Sequence, residues 1–292
     1  MNVRPATKDD LDAMAELFGS VEEAVTGRPS RLDAIAVEGW LQTVAFETNT
    51  WFFEEAGQLV AAAFAQCFGK RGNCAGAVRP SAWGRGLGAM LVETMEQRLI
   101  DEGANRTHTW AVAGDQAAEA LFERRGYREA RRFWEMAVEF ETETPEPSVP
   151  VEPYTDGDAE AFHAALEESF AEHWEHEPES FDAWWERQRR RENFDTSLWF
   201  VIRDGAEIAG VARCEARPPA GWVGALGVRR PWRGRGYGRA LLQHSFREFQ
   251  RRGYTRAALG VDASNETGAT HLYDSVGMHP EQEMVVWEKV LA

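Results

Sequence analysis

Apolar positions along the chain fall into helix and strand periods that occur in the same order twice. Leu11, Met14 and Phe18 recur at three- and four-residue steps, and Phe162, Leu166 and Phe170 do so in the second half, so each set lines one helix face. Thr7-x-x-Asp10 and Thr155-x-x-Asp158 stand just before them as capping-type starts. A second helix is predicted in each half. In the second half, Leu198 to Arg203 and Glu207 to Cys214 predict two strands joined at Asp204-Gly205, a pair whose tolerance of positive φ suits a hairpin. Trp222 to Val228 reads as the next strand. Leu241, Leu242, Ser245, Phe246 and Phe249 then return to helical spacing with Gly253 as a stop, and Leu91, Val92, Met95, Leu99 and Gly103 match them in the first half. A strand near Arg256 to Val261, a helix near Thr267 to Val276 and a final strand pair complete the unit. Hairpins combined with helical crossovers predict an α+β (mixed α/β) fold, each half a mixed, mostly antiparallel sheet flanked by helices.

The chain also matches itself residue by residue. Val3-Arg4-Pro5-Ala6-Thr7 pairs with Val151-Glu152-Pro153-Tyr154-Thr155 at an offset of 148, as do Trp51-Phe52 and Gly57 with Trp199-Phe200 and Gly205. Gly84-Arg85-Gly86-Leu87-Gly88 pairs with Gly234-Arg235-Gly236-Tyr237-Gly238 at 150, and Leu121-Phe122 with Gly126 pairs with Leu272-Tyr273 with Gly277 at 151. Between the copies, Glu141 to Pro150 holds three prolines and three glutamates and cannot form a buried element. The predicted domains are therefore 1–142 and 151–292 with a linker at 143–150.

Length and charge narrow the function classes. At 292 residues the chain has room for two cores, and 32 basic against 48 acidic residues give a formal charge of −16. That balance opposes broad binding to nucleic acid or an anionic membrane. Only Lys8, Lys70 and Lys289 are lysines, so anion sites here are arginine forks or backbone amides. Cys67, Cys74 and Cys214 show no Cys-x-x-Cys spacing, which predicts neither a disulfide framework nor a thiolate zinc site and suits the reducing cytoplasm. The charged first fifteen residues and the lack of an apolar run near ~18 residues predict neither a signal peptide nor a membrane span.

The segment richest in chemistry is Gly227-Val228-Arg229-Arg230-Pro231-Trp232-Arg233-Gly234-Arg235-Gly236-Tyr237-Gly238, which leaves a strand and enters a helix. Glycines let the backbone approach a ligand, and free N–H groups at a helix start favour a phosphate, or a diphosphate. Four arginines supply local positive charge that a distant acidic average does not cancel. Such a turn also occurs merely as a tight strand-to-helix connection. A dinucleotide site is not met: Trp110-Ala111-Val112 lacks the acidic residue in the first copy, and Arg239 stands where Gly or Ala is needed in the second.

With the repeat, this turn and the downstream Asn265 to Met278 in view, the chain resembles the GNAT superfamily of acyl-CoA-dependent N-acyltransferases. Arg233-Gly234-Arg235-Gly236-Tyr237-Gly238 matches the family's Arg/Gln-x-x-Gly-x-Gly/Ala pyrophosphate loop, and Leu272-Tyr273 with Gly277 looks like its second signature. The tandem layout is similar to the mycothiol synthase type. The resemblance implies an N-acetyltransferase moving an acetyl group from acetyl-CoA, as co-substrate and without a metal, to a small primary amine. It implies that Leu226, Gly227, Val228, Arg233, Gly234, Arg235, Gly236, Tyr237, Gly238 and Asn265 hold the acyl-CoA, with Tyr273 near the departing sulfur. Asn265 equally suits the cap of the next helix. The first copy has Trp83 at the position of Arg233 and Phe122 at that of Tyr273, so chemistry is expected in the second copy and the first is expected to be degenerate.

The proton acceptor is harder to name. Some relatives carry a glutamate early on the strand before the loop, but this chain has Gly221-Trp222 there, so neither that role nor mycothiol as acceptor is carried over. Glu215 is the substitute candidate, at a place where a solvated edge carboxylate is the more ordinary finding. Trp174, Trp184 and Trp185 either line an acceptor pocket or pack in the core; His173-x-x-His176 lacks further ligands for a metal; Arg187 to Arg191 reads first as a solvated helix face. The rival function is a non-catalytic acyl-CoA sensor that keeps the pocket without turnover.

Overall fold

The computed structural model describes residues 1–41, 43–191, 193–218, 220–264 and 268–291. Two compact units emerge, one from Met1–Arg132 with Glu283–Ala292 and the other from Phe133–Gln282. Both are mixed α/β, and their sheets are mostly antiparallel.

In the first unit, β1 (Asn2–Arg4), β2 (Thr50–Glu55), β3 (Gln58–Phe68) and β4 (Arg71–Val78) form antiparallel neighbours, and α1 (Leu11–Thr26), α2 (Ala34–Leu41) and α3 (Phe46–Asn49) lie between β1 and β2 in the chain. The loop after β4 leads to α4 (Leu87–Asp101), then β5 (Arg106–Val112) parallel to β4, then α5 (Gln116–Arg124). In the second unit, β7 (Glu152–Pro153), α6 (Ala159–Phe170), α7 (Phe181–Arg189), β8 (Trp199–Asp204), β9 (Glu207–Arg217), β10 (Ala220–Val228), α8 (Tyr237–Arg251), β11 (Arg256–Asp262) and α9 (Ala269–Asp274) repeat that order. The copies end on β6 (Arg128–Glu139) and β12 (His279–Val290), and these are exchanged. From Phe133 onward β6 pairs antiparallel with β11, whereas Met284 to Val290 of β12 pairs with β5. The compact units therefore do not follow the repeat boundaries. One strand, not a pair, closes each copy.

Both predicted capping boxes form. The backbone N–H groups of Thr7 and Thr155 donate to Asp10 Oδ2 and Asp158 Oδ2 at 2.8 and 2.9 Å, opening a 3-10 turn that runs into α1 or α6. Alternation along β3 and β9 sends Ala61, Ala63 and Ala65, or Ala212 and Cys214, to the α4 or α8 side. The opposite faces pack Ala62 and Phe64 with α1, and Val211 with the aromatic cluster of Phe162, Trp184 and Trp199. The 143–150 segment has no regular element, and Arg247 of α8 holds it through Glu143, Glu146 and the carbonyl of Thr144.

The ladders correct the sequence alignment by one residue. Thr50 pairs with Phe64 and Trp199 with Arg213, so the counterpart of Trp199 is Thr50 and not Trp51. Gly72 and Gly221 fix the match: a Cβ on either would run into Leu99 of α4 or Phe249 of α8, equivalent positions on equivalent helices. In both units the parallel strands pair over three residues, Arg71 to Asn73 and Ala220 to Trp222, and then part.

The exchange of end strands makes a test. Trp287 is buried in the first unit's core beside Val285, Phe122 and Tyr127. Trp287→Ala should cost about 3–5 kcal/mol of that core. Hydrogen exchange should therefore quicken in β5 and leave β11 protected; faster exchange in β11 instead would contradict the strand assignment.

Candidate functional site

The loop after β10 is built as an anion cradle. Gly234 and Gly236 take positive φ (75° and 81°), which turns the exposed backbone sharply into α8, and no side chain caps that helix. Gly238 sits where a Cβ would be 2.8 Å from Leu272, so a side chain there would push the first helical turn off α9. Tyr237 is half-buried against the core and steadies the turn. Helix-start amides and the positive end of the dipole point outward together.

The four arginines divide their work. Arg229 is pinned to Glu168 (2.6 Å) and Glu207 (2.9 Å) and belongs to the scaffold. Arg233 donates through Nε to Val228 O (3.1 Å) and through Nη1 to Glu172 (3.2 Å), and Arg230 also pairs with Glu172. These two guanidinium groups hold the Glu172 carboxyl below its ordinary range. Arg235 reaches Asp204 only at 3.5 Å. In the first copy, Trp83 Nε1 donates to Val78 O (2.7 Å), which reproduces the single bond of Arg233 to the strand and none of its charge. Arg85 there is closed into a two-bond fork with Glu55 (2.6 and 2.9 Å).

Strand β10 supplies the next part. The N–H of Arg229 donates to Ala209 O on the β9 side, so alternation turns the amides of Leu226 and Val228 the other way, into the gap left where β11 departs. Gly227 lets the strand pass under α6, since a Cβ would lie 2.7 Å from Ser169. The ladder of β9 with β10 shifts register between Val223 and Ala225, leaving Gly224 as a bulge. The first copy has none: its β3 to β4 ladder is unbroken. Five residues separate Gly72 from Val78 and six separate Gly221 from Val228, so the bulge is a one-residue insertion.

Tyr273 is 8% exposed within the core against α8, and burial pushes its phenol up to about 12. Its counterpart Phe122 is equally buried. Asn265 lies outside the described residues. Glu215 is not the solvated edge carboxylate expected: it is 3% exposed and surrounded by arginines. Burial alone would raise its pKa, but Arg213, Arg191 and Arg217 together bring it down to about 2. A carboxylate with that pKa and with its oxygens occupied is a poor proton acceptor, so the base assignment of Glu215 lapses.

Other candidates resolve more simply. Trp184 is core, stacked with Phe162 and Trp185, and Trp185 meets Trp199 edge-on. Trp174 touches Phe133, and His176 pairs with Glu167 at 3.2 Å. Arg189 and Arg190 lie on a solvated face near Glu186, while Arg191 turns inward to Glu215. The pairing of Glu172 with the loop arginines and the bulge at Gly224 do not follow from the sequence. Glu172 leaves no local signal there, whereas Gly224 is visible as the step from 149 to 150 in the offset once the ladders are known.

Comparison with known proteins agrees with this geometry. The family model for the acetyltransferase (GNAT) family matches residues 17–127 and 159–278. A mycothiol acetyltransferase of Thermobispora bispora is 32% identical over 215 residues, covering 68% of this chain and 70% of that protein; one from Nocardia farcinica is 30% identical and covers 70% of each. The crystal structure of a GCN5-related N-acetyltransferase from Sphaerobacter thermophilus superposes with a TM-score of 0.85 at 29% identity, covering 99% of this chain and 95% of that one. A tandem GNAT protein from the clavulanic acid biosynthesis pathway shares the fold at a TM-score of 0.75 and 15% identity, covering 100% and 98%.

Two outcomes follow from the charges. Glu172→Gln releases Arg230 and Arg233 for a diphosphate, so coenzyme A should bind roughly two- to fivefold tighter in calorimetric titration, an exposed-pair effect that fades with salt. Weaker binding would show that Glu172 helps hold the ligand. Because the folded pKa of Glu215 is depressed to about 2, its contribution to stability is present above the unfolded value near 4.5 and is lost as pH falls toward 2. Acid unfolding should therefore steepen across that window, and Glu215→Gln should flatten it; an unaltered profile would contradict the assignment.

Proposed function

The chain belongs to the GNAT family of acetyltransferases, and we propose that it moves the acetyl group of acetyl-CoA to the primary amine of a small molecule, with the chemistry in the second copy. The observation that carries the choice of copy is the bulge at Gly224. It inserts a residue into the strand whose amides face the parted β11, and the first copy lacks it. Arg233 in place of Trp83 and Tyr273 in place of Phe122 point the same way.

In this reading the amides from Gly234 to Gly238 grip the diphosphate, with Arg233 and Arg235 adding charge. Leu226 and Val228 present N–H groups to the pantetheine arm and to the thioester carbonyl, where negative charge develops as the neutral amine attacks. Holding both reactants in one gap supplies most of the acceleration. Tyr273 donates a hydrogen bond to the departing sulfur. Full proton transfer from a phenol near 12 to a thiolate near ~8.5 is uphill by roughly 5 kcal/mol, so the thiolate takes its proton later from solvent. No helix among the described residues is long and apolar enough to cross a membrane.

Free-thiol release from acetyl-CoA across a panel of small amines tests the reading. Amine-dependent release is expected, with Tyr273→Phe lowering kcat roughly ten- to a hundredfold and leaving the KM for acetyl-CoA within about twofold. Saturable acetyl-CoA binding without release would favour the sensor, and an unchanged rate would remove Tyr273 from the mechanism.

A further inference from the structure

We propose that the amine accepted at this site also carries an anion, a carboxylate or a phosphate group, and that Arg213, Arg217 and Arg191 form the subsite that holds it. The inference rests on the reading of the second copy as the acetyl-transfer site and names the substrate class of that site.

The first observation is saturation. Arg213 donates to Glu215 Oε1, while Arg191 (2.7 Å), Arg217 (3.1 Å) and Asn193 (3.2 Å) donate to Oε2. Three donors crowd Oε2, more than its two lone-pair sites, and a fourth lies on Oε1, so the carboxylate has little acceptor capacity left. Three guanidinium groups carry up to fifteen N–H donors, and among the described residues Glu215 is the single carboxylate that pairs with any of these three. Two positive charges are left over in a cluster whose members are mostly buried. Arg217 Nε is buried with no acceptor. Burial first, then the charges of Arg213 and Arg217, pull Arg191 down to about 10 against the pull of Glu215. An incoming anion relieves that excess.

Location is the second observation. A Cβ on Gly224 would lie 2.9 Å from Arg213 Nη2 and 2.8 Å from Glu215 Oε1, so the cluster touches the backbone at the bulge. Arg217 lies 4.5 Å over the ring of Trp222, the residue where β11 leaves β10. An anion docked here is close to the amides read as facing the thioester, so its spacer to the amine is short.

The third observation comes from the first copy, which keeps Arg71 over the ring of Phe68 but has no arginine or glutamate at the three β9 positions. In the common register, Phe64, Gln66 and Phe68 occupy the positions of Arg213, Glu215 and Arg217. Buried ion clusters of this kind are often replaced by apolar residues at no loss of stability, and the chain itself contains that replacement. The sheet therefore does not need Arg213 and Arg217.

The test uses full-length protein and the quadruple variant R191Q/R213F/E215Q/R217F, which installs the first copy's residues at the three β9 positions and strands neither a buried carboxylate nor the guanidinium of Arg191. Thiol release from acetyl-CoA is measured with matched acceptors: α-amino acids against their carboxamides, and phosphoethanolamine against ethanolamine, at equal concentrations of free amine. The expected result is at least a roughly tenfold kcat/KM preference for one anionic member, falling to about one in the variant. Preference for the carboxylates or for the phosphate identifies the source. If the quadruple variant does not fold, Arg217→Gln, with the most exposed of the three side chains, replaces it and should reduce the preference at least about threefold. Equal or better turnover of the neutral members, or a preference that survives the substitutions, overturns the subsite while leaving acetyl transfer standing. Acetyl-CoA binding without turnover of any amine overturns both.

Discussion

Strand β10 is tied to β9 along its whole length but to β11 only as far as Trp222, and the rest of the second unit is arranged around that mismatch. A strand with one free side carries unpaired amides that need a partner. Helices close over both faces of the strand so tightly that only glycine fits beneath them, at Gly221 under Phe249 and at Gly227 under Ser169. The backbone is thus held rigidly while one edge stays open. An open edge on a fixed strand, ending in an uncapped helix start, suits an extended ligand with a diphosphate at one end.

Charge is distributed against the grain of the whole chain. The formal charge is −16, yet the rim of the gap is rich in arginine. Acidic residues temper it unevenly: Glu168 and Glu207 immobilise Arg229, Glu172 pairs loosely with Arg230 and Arg233 at the surface, and Glu215 is enclosed. The exposed pairs are cheap to exchange for a phosphate because water already screens them. The enclosed one is not, since separating it leaves a charge in a poorly solvated place.

Much of this was legible in the sequence because the signals are local. Helical periods, the Thr-x-x-Asp starts, the hairpin and the glycine turn depend on residues within a few positions of one another, and each formed, the hairpin turning one residue later than read, at Gly205-Ala206 with Asp204 still paired to Glu207. The family followed from the loop motif. What escaped depends on partners far apart in sequence. Nothing near β6 or β12 announces that they trade places, because a strand's own pattern does not name its neighbour. Glu172 meets the loop from 58 and 61 residues away, and Arg191 meets Glu215 across 24. The offset of 148 fails at Trp199 because a shared Trp-Phe pair does not set strand register, which the hydrogen-bonded ladder determines.

Duplication turns the chain into its own control. Features present in both units are those the fold requires: the glycine beneath α4 or α8, the strand carbonyl of Val78 or Val228 bonded from the loop, and the positive-φ glycines of the turn. Trp83 shows the distinction in a single residue, since its indole keeps the hydrogen bond of Arg233 and discards the charge. Features confined to the second unit, namely the bulge, Arg213 and Arg217 on β9, and the phenol of Tyr273, sit on a scaffold that the first unit builds without them. Since identical architecture stands in their absence, their presence is better explained by what the open edge must hold than by what the sheet needs to fold.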